Sequence, residues 1–494
     1  MTEVNTTMLK GFEALDLSSN FQGYAYQLHA VESVKDLKYA ALFHEQGLGK
    51  TKIGLDIALY WISNKILDTV VVITKKGLVK NWEKEISTHT NLPCIILDGN
   101  RVKNSYKFNK PYRLYITHYE AVSSNQKIFN LLLRSRKVGA LLDEAHHMKN
   151  PDGRVARALH ALSPIFKRRI IMTGTPVANR PYDIWSPIFF LDCGESLGKD
   201  FAEFKAMYDF PKGSLDNPNI AYENSLMDIS LALQPFSVRE TKASAGIYLP
   251  QKVLNNQHVD MEANQASLYQ RYKDDLYVNI IKDGRIEADD VSNMLKEMLR
   301  LVQIASNPSM VDESYNCCPG KMTALEQIIA DIGHDEKVIV WTCFIDNANY
   351  LAHYLASRGS LKLHGKMDMM ARNRSIERFL QEKDKRVLVA TPGVAKEGLT
   401  LTVANHAIFF DRNFSLNDWL QSQDRIHRIS QSRPCNIFHL LAKNSIDEWV
   451  DKLLLYKRRL ATLVQGDKED MSNDNARDIS SDEVKDIIRE VLQP

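Results

Sequence analysis

The chain has 494 residues, of which 44% are hydrophobic and 25% are charged, a composition typical of a globular protein with room for about three domains. The formal net charge of +2 neither requires nor excludes a nucleic-acid partner, because a local basic groove matters more than the sum. None of the six cysteines forms a C-x-x-C pair, and no apolar run approaches the roughly 18 residues of a membrane span. These features argue against a zinc ribbon and a membrane protein, and predict a soluble cytoplasmic chain.

Two series of short apolar segments, separated by helical stretches, indicate the fold. Near-continuous apolar strands between helices are typical of parallel sheets that are covered on both faces. We therefore predict an α/β protein with two lobes. The predicted strands lie at residues 70–74, 94–97, 114–117, 140–143 and 170–173 in the first half, and at 338–341, 361–364, 387–390, 407–410 and 437–440 in the second.

The segment between the two series is largely helical and includes a predicted helix at residues 293–304. We expect residues 1–238 to form the first lobe, with a helical insertion at about 190–235. Residues 239–320 are expected to be a helical insertion and linker, and residues 321–465 the second lobe.

Residues 466–481 are polar and acidic, which predicts a flexible linker. A short amphipathic helix with Val484, Ile487, Ile488 and Val491 should follow it. Two interpretations stay open for this helix: it packs on the second lobe, or it binds a protein partner.

A phosphate-loop motif, Gly47-Leu48-Gly49-Lys50-Thr51, follows a predicted strand at residues 39–43 and opens a predicted helix at 51–61. Glycines allow backbone N–H groups to surround phosphate oxygens, and the helix N-terminus adds a favourable dipole. Lys50 would reach the β and γ phosphates, and the Thr51 hydroxyl would bind magnesium. The motif departs from the full pattern at His44, where glycine is expected, and the alternative is a turn with no ligand.

The second motif, Asp143-Glu144-Ala145-His146, ends an apolar strand. A carboxylate at the carboxyl end of a parallel strand can hold magnesium, and a neighbouring carboxylate can polarise a water molecule. We therefore assign Asp143 to the metal and Glu144 to the general base. The alternative is a solvated loop after a buried strand.

The third motif places Arg425 and Arg428 three residues apart, a spacing that predicts one helix face. Two guanidinium groups on one face could stabilise the charge that develops on a γ-phosphate. The alternative is a surface helix with a salt bridge to Asp424.

The order of these motifs resembles the Swi/Snf-like, chromatin-remodeller-type ATPases of helicase superfamily two, over roughly residues 24–464. The segments that carry the resemblance are Tyr26-Gln27, residues 45–51, 74–83, 117–120, 143–150, 173–176, 301–308, 363–365, 396–402 and 424–431. The chain departs from the family pattern at His44, which replaces an acidic residue, at Gln46, and at Lys396-Glu397. The short insertions indicate a compact prokaryotic or viral member.

The resemblance implies two RecA-like lobes, ATP and Mg²⁺ as cofactors, and ATP-driven translocation along double-stranded DNA that displaces proteins or remodels DNA structures. Two alternatives remain, a strand-separating DNA or RNA helicase and a scaffold that binds DNA without hydrolysing ATP. Gln27 is expected to recognise adenine, and Gly398 to join the nucleotide site. The residues expected to contact DNA are Lys75, Thr117 and His118 in the first lobe and His364, Gly365 and Thr391 in the second. For Thr117 and Thr391 the alternative is that they only terminate strands.

Overall fold

The computed structural model describes residues 16–98, 100–174, 176, 181–207, 218–282, 288–395 and 399–465. The chain forms two compact units. It passes from the first unit to the second after Ile247, and it returns to the first unit after Arg459. We call the part up to Ile247 the first lobe and Tyr248–Arg459 the second lobe. Each lobe is built on one sheet.

The first lobe contains a seven-stranded sheet in the order β3-β4-β2-β5-β6-β1-β7, in which every pair is parallel. Its central strands are fully buried, which explains their continuous apolar sequence. Because all strands run the same way, the loops at their carboxyl ends leave the sheet at one edge. The strands are β1 (Tyr39–Leu42), β2 (Thr69–Thr74), β3 (Cys94–Leu97), β4 (Leu114–His118), β5 (Val138–Asp143), β6 (Arg168–Met172) and β7 (Ser237–Val238).

Helices cover this sheet and complete the core of the first lobe. Ile53 and Trp61 pack with Val72, Trp82 and Met172 in one buried cluster. The helices are α1 (Ala25–Val34), α2 (Lys50–Ser63), α3 (Val79–His89), α4 (Arg101–Phe108), α5 (Tyr119–Ser124), α6 (Gln126–Ser135), α7 (Arg154–Leu162), α8 (Trp185–Asp192), α9 (Phe201–Ala206) and α10 (Pro218–Leu233). Helices α9 and α10 lie in the helical insertion that the sequence predicts at about residues 190–235.

The second lobe contains a six-stranded parallel sheet in the order β10-β11-β9-β12-β13-β8. Its core joins Leu325, Leu351 and Phe410 to the central strands. The strands are β8 (Lys252–Val259), β9 (Lys337–Trp341), β10 (Ser360–Leu363), β11 (Val387–Ala390), β12 (Ala404–Phe409) and β13 (Cys435–Ala442).

The helices from residue 263 onwards include the predicted helix at 293–304, which lies within α12. They are α11 (Ala263–Lys282), α12 (Ala288–Ser306), α13 (Gly320–Asp331), α14 (Ile345–Tyr354), α15 (Met369–Gln381), α16 (Pro392–Ala395), α17 (Leu416–Gln423) and α18 (Ile446–Val464). In the part of the chain that the structure describes, none of the helices is both long and apolar enough to span a bilayer.

The expected boundaries of the linker need a correction. Residues 239–320 were expected to hold only helices and a linker, but Lys252–Val259 forms an edge strand that pairs with β13 over eight residues. Most of its side chains are exposed or half-buried, so the apolar signal of a central strand is missing. The second lobe therefore starts near residue 248 instead of 321. The predicted C-terminal linker and helix lie outside the described residues.

Candidate active site

The predicted phosphate loop connects β1 to α2 in the first lobe. Gly47 and Gly49 have φ angles of 89° and 72°, in the left-handed region that favours glycine. Gly49 is the N-cap of the 14-residue helix that begins at Lys50. The loop thus presents backbone N–H groups and a helix N-terminus, which together suit an anion.

The side chains of the loop are arranged around its backbone. The Lys50 Nζ atom donates to the His44 carbonyl at 2.8 Å and to the Glu45 carbonyl at 3.3 Å. Leu48 is fully buried and Thr51 is half-buried at the start of α2. Glu45 forms an ion pair with Lys242 at 2.9 Å and accepts the Lys242 backbone N–H at 2.8 Å. This pair ties the loop to the segment that follows β7.

Gln27, the predicted adenine-recognising residue, lies against the loop and is only 5% exposed. Its Nε2 donates to the Leu48 carbonyl at 3.1 Å, and its Oε1 accepts the Tyr24 backbone N–H at 3.0 Å. A Cβ atom at Gly49 would lie 2.3 Å from this amide nitrogen, so a larger residue there would displace Gln27. The structure places Gln27 beside the phosphate loop, and its recognition of adenine stays a prediction.

His44, the main departure from the motif, is fully buried, and neither ring nitrogen has a hydrogen-bond partner of acceptable geometry among the described residues. Burial, together with the nearby charge of Lys50, lowers the pKa of His44 to about 4. The imidazole is therefore neutral at neutral pH. The loop therefore has a neutral imidazole at the position where the pattern that the chain resembles has an acidic residue.

Asp143 lies at the carboxyl end of β5 and is held by three donors. Its Oδ2 accepts the Thr74 hydroxyl at 2.9 Å and the Trp82 indole N–H at 2.8 Å, and the Tyr119 hydroxyl donates to its backbone carbonyl at 2.8 Å. Burial and the adjacent Glu144 raise the pKa of Asp143, whereas the two side-chain donors oppose that rise. The Thr74 and Trp82 donors fix the orientation of the carboxylate.

Glu144, the predicted general base, has a left-handed backbone conformation with φ 52° and ψ 51°. Its Oε2 lies 3.1 Å from the His146 Nδ1, a distance that suits an ion pair although the geometry is not that of a linear hydrogen bond. The His146 Nε2 in turn lies 3.1 Å from the Lys75 Nζ. Burial alone would raise the pKa of Glu144, but these neighbours hold that pKa below its usual range. Burial lowers the pKa of His146.

The residues present fit a magnesium ion with a bound nucleotide. Thr51 and Asp143 supply the hydroxyl and carboxylate oxygens that Mg²⁺ prefers. The buried Oε2 of Glu144 has no hydrogen-bond partner among the described residues, which suits a water molecule beside the metal. No group of three or more His, Cys, Asp or Glu side chains that could hold a metal ion by themselves occurs in the described ranges. A magnesium ion bound mainly by phosphates and water does not need such a cluster.

The first-lobe residues predicted to contact DNA differ in accessibility. Lys75 and His118 are half-buried at the ends of β2 and β4, and His118 contacts Glu120 at 2.9 Å. Thr117 is fully buried and its hydroxyl donates to the Leu97 carbonyl at 3.0 Å. This burial favours a strand-ending role for Thr117, and we do not retain it as a DNA contact.

The expected helix that would carry both arginines is shorter than predicted. Helix α17 ends at Gln423, so Arg425 and Arg428 lie in the turns that follow it. Beyond Gln423 the backbone has other partners: the Arg425 carbonyl accepts the Leu401 N–H at 2.9 Å, and the Gln431 side chain donates to the Ile426 carbonyl at 3.0 Å.

Both guanidinium groups are nevertheless positioned by the second lobe. Arg425, only 4% exposed, donates to the Gln421 carbonyl at 2.9 Å and to the Leu399 carbonyl at 3.1 Å. Arg428 donates to the Thr400 hydroxyl at 2.9 Å. The two arginines therefore border residues 399–400, which directly follow Gly398. Gly398 itself lies outside the described residues, as does Thr175.

The second-lobe residues predicted to contact DNA lie close to the ends of β10 and β11. His364 is 5% exposed, and its Nε2 lies 3.3 Å from the Asn349 Oδ1. Gly365 is exposed, and a Cβ atom there would meet nothing within 4 Å. Thr391 is buried, and its backbone N–H donates to the Leu363 carbonyl at 3.0 Å. DNA contacts at these positions stay predictions.

Several residues that shape the site have no role that the sequence predicts. Thr74 and Trp82 lie in a motif and its flank, and only the structure shows that they orient Asp143. His146 belongs to the acidic box, but no sequence pattern predicts a role for its imidazole. Paired donors at positions far apart in the chain give no local pattern, so only the fold shows these contacts.

Comparison with known protein families gives two adjoining matches. Residues 26–310 match the SNF2-related domain, and residues 320–430 match the helicase conserved C-terminal domain. The first match alone covers more than half of the chain.

Individual relatives are similar over most of this chain. A zebrafish protein, the chromodomain-helicase-DNA-binding protein 1-like, is 25% identical over 467 residues, which cover 89% of this chain and 43% of the relative. The ATP-dependent DNA helicase DDM1 of Arabidopsis thaliana is 24% identical, and the match covers 94% of this chain and 65% of DDM1. An uncharacterized ATP-dependent helicase of Mycoplasma genitalium is 24% identical, and the match covers 88% of this chain and 41% of the relative. The chain thus spans less than two thirds of each of these relatives.

Among solved structures, the Sulfolobus solfataricus SWI2/SNF2 ATPase core in complex with double-stranded DNA is 25% identical. The match covers 92% of this chain and 95% of that chain, with a TM-score of 0.43.

Proposed function

Because the chain belongs to the SNF2-related family, we propose that it is a DNA-dependent ATPase that couples ATP hydrolysis to translocation along double-stranded DNA. Such a motor would displace bound proteins or remodel DNA structures. The observation that carries the proposal is the arrangement of Lys50, Asp143 and Glu144 at one edge of the first sheet, where the charge of Lys50 acts on both carboxyl groups. A scaffold that only binds DNA has no use for this arrangement.

Each residue of the site has a separate part in the proposed reaction. Lys50 and the loop N–H groups bind the phosphates of ATP, and Gln27 contacts the base. Glu144 orients the attacking water and accepts its proton, while Arg425 and Arg428 stabilise charge on the γ-phosphate. Thr51 and Asp143 would hold Mg²⁺, which when bound neutralises part of the phosphate charge. Thr74 and Trp82 keep the Asp143 carboxylate in the orientation that this role needs.

DNA binding in this proposal depends on phosphate contacts from Lys75 and His118 in the first lobe and from His364, Gly365 and Thr391 in the second. Contacts to phosphate carry no sequence information, so binding should tolerate any sequence and weaken with salt. A cytoplasmic location belongs to the same proposal and is supported by the six cysteines, all of which are free thiols.

Phosphate release measured with duplex DNA, single-stranded DNA, forked DNA and RNA tests this function. We expect the largest stimulation with duplex DNA, and loss of nearly all turnover in Lys50→Ala and Glu144→Gln. The matched control is Glu32→Gln, which removes an exposed ion pair with Lys35 and should leave turnover unchanged. Retained turnover in both active-site variants would refute the assignment. Efficient unwinding of forked DNA from a single-stranded tail would instead support a strand-separating helicase.

A further inference from the structure

Three side chains connect the end of β2 to the predicted general base. The Lys75 Nζ lies 3.1 Å from the His146 Nε2, and the His146 Nδ1 lies 3.1 Å from the Glu144 Oε2. Lys75 directly follows Thr74, whose hydroxyl binds Asp143. The carboxyl end of one strand therefore contacts both members of the acidic pair, Asp143 directly and Glu144 through an imidazole.

The charge of Lys75 determines which nitrogen of His146 carries the proton. An ammonium group can only donate hydrogen bonds, so the Nε2 that it contacts must be the acceptor. His146 is neutral because burial lowers its pKa, and its single proton must then be on Nδ1. The protonated Nδ1 lies 3.1 Å from the Glu144 Oε2, so the positive end of the imidazole dipole attracts the carboxylate. Without Lys75 the other tautomer is open, and it would turn a lone pair towards the same carboxylate.

Glu144 needs such a contact to stay in place. Its left-handed backbone conformation is unfavourable for a residue with a side chain. The His146 contact involves the Oε2 atom, which is the buried oxygen that has no hydrogen-bond partner among the described residues. The atom best placed to orient a water molecule is thus the one held by the imidazole.

Lys75 is also placed where an external anion can reach it. It is half-buried, and the next residue, Lys76, is exposed. The two lysines follow β2 at the edge of the sheet where the acidic box also ends. A DNA phosphate that binds Lys75 would compete directly with the His146 imidazole for the ammonium group.

We propose that Lys75 is a positioning residue that restrains the Glu144 carboxylate through the His146 imidazole, and that a DNA phosphate at Lys75 releases this restraint. This inference rests on the proposed function, since it explains how DNA would stimulate hydrolysis. In the absence of DNA the imidazole attracts the Glu144 Oε2. With DNA bound, Lys75 turns to the phosphate, and Glu144 becomes available to the attacking water.

The test measures phosphate release at saturating ATP, without DNA and with saturating duplex DNA. Loss of one electrostatic restraint should raise the DNA-free rate of Lys75→Met roughly fivefold. The DNA-saturated rate should stay within about twofold of the wild-type rate, since the restraint is already released there. Lys75→Arg keeps a cation and should restore the low DNA-free rate. Lys76→Met, the matched control, should leave the DNA-free rate unchanged.

A second variant tests the path through the imidazole. His146→Phe should also raise the DNA-free rate, and adding Lys75→Met should raise it no further, because both changes remove the same restraint. Independent, additive effects of the two changes would overturn the proposal. Binding of a fluorescent ATP analogue to each variant verifies that the nucleotide site is folded.

Other results separate this inference from the proposed function. If Lys75 only contacts DNA, Lys75→Met will keep the wild-type DNA-free rate and need more DNA for half-saturation. If Lys75 only supports the fold, both rates will fall. Either result overturns the inference alone, provided that DNA stimulates the wild-type protein. A wild-type protein that DNA does not stimulate would refute the proposed function, and the inference with it.

Discussion

Trp82 donates its indole N–H to the Asp143 carboxylate at 2.8 Å, across 61 positions of the sequence. The same carboxylate oxygen accepts the Thr74 hydroxyl, so two neutral donors hold it. The adjacent Glu144 instead lies beside the His146 imidazole, which separates it from the charge of Lys75. Two neighbouring carboxylates thus have different surroundings, which supports different roles for them.

The Trp82 contact predicts that Trp82→Phe reduces turnover while the fold is retained. Phenylalanine fills most of the buried volume but cannot donate to Asp143. Loss of a residue that orients a metal ligand typically costs roughly tenfold or more in activity. Steady-state ATP hydrolysis across a magnesium titration measures the effect, which should include a weaker response to magnesium. Trp185→Phe is the control, because the buried Trp185 Nε1 has no hydrogen-bond partner among the described residues. Equal losses in both variants would contradict the orienting role.

Arg428 should be needed for hydrolysis but not for ATP binding. Its guanidinium group is held by the second lobe and would stabilise charge that develops only during phosphate transfer. We expect Arg428→Ala to lower the hydrolysis rate on the order of a thousandfold, with ATP affinity nearly unchanged. Nucleotide titration and phosphate release measure the two quantities. Arg433→Ala, which removes a half-exposed side chain nearby, serves as the control. Weaker ATP binding with normal turnover would refute this role.

His44 should make the protein less stable in acid. Its pKa in the folded chain is about 4, compared with an ordinary value of 6.5, so the unfolded chain takes up a proton first as the pH falls. Stability is therefore lost between these values, by about 2 kcal/mol from about pH 7 to about pH 5. His44→Leu should flatten this part of the dependence of the unfolding free energy on pH. The control is His29→Gln, which changes an exposed histidine. An unchanged slope in His44→Leu would show that His44 is not responsible.

Asp411 should be essential for the stability of the second lobe. This buried carboxylate accepts from the Ser306 hydroxyl, the Thr342 hydroxyl, the Asn347 amide and the Cys343 N–H, at 2.7, 2.6, 3.1 and 2.6 Å respectively. Asp411→Ala leaves these donors without their acceptor, which should cost about 3 kcal/mol. Thermal unfolding measures the loss, and Asp335→Ala, at an exposed position, is the control. Equal unfolding temperatures for both variants would contradict the prediction.

The sequence predicted those parts of the protein that depend on local pattern. The central strands are continuously apolar because both faces are buried, and the phosphate loop needs glycine at Gly47 and Gly49. The edge strand β8 was missed because its side chains are mostly exposed. The end of α17 before Arg425 was missed because a distant backbone group, Leu401 N–H, takes the carbonyl that a longer helix would use.

The contacts around the acidic pair could not be predicted for the same reason. Lys75 and His146 are 71 residues apart, and no spacing rule joins them. Sequence resemblance placed Lys75 at the DNA and His146 in the acidic box, but it gave no reason to connect the two. Only the parallel pairing of β2 with β5 brings the ends of these strands together.

Displacement of a third DNA strand from a triplex tests the central claim most directly. A motor that moves along duplex DNA removes the third strand and leaves the duplex intact. We predict ATP-dependent release of the third strand by the wild-type protein, and no release by Glu144→Gln under the same conditions. ATP hydrolysis on the triplex without release of the third strand, or separation of the duplex strands themselves, would contradict the account.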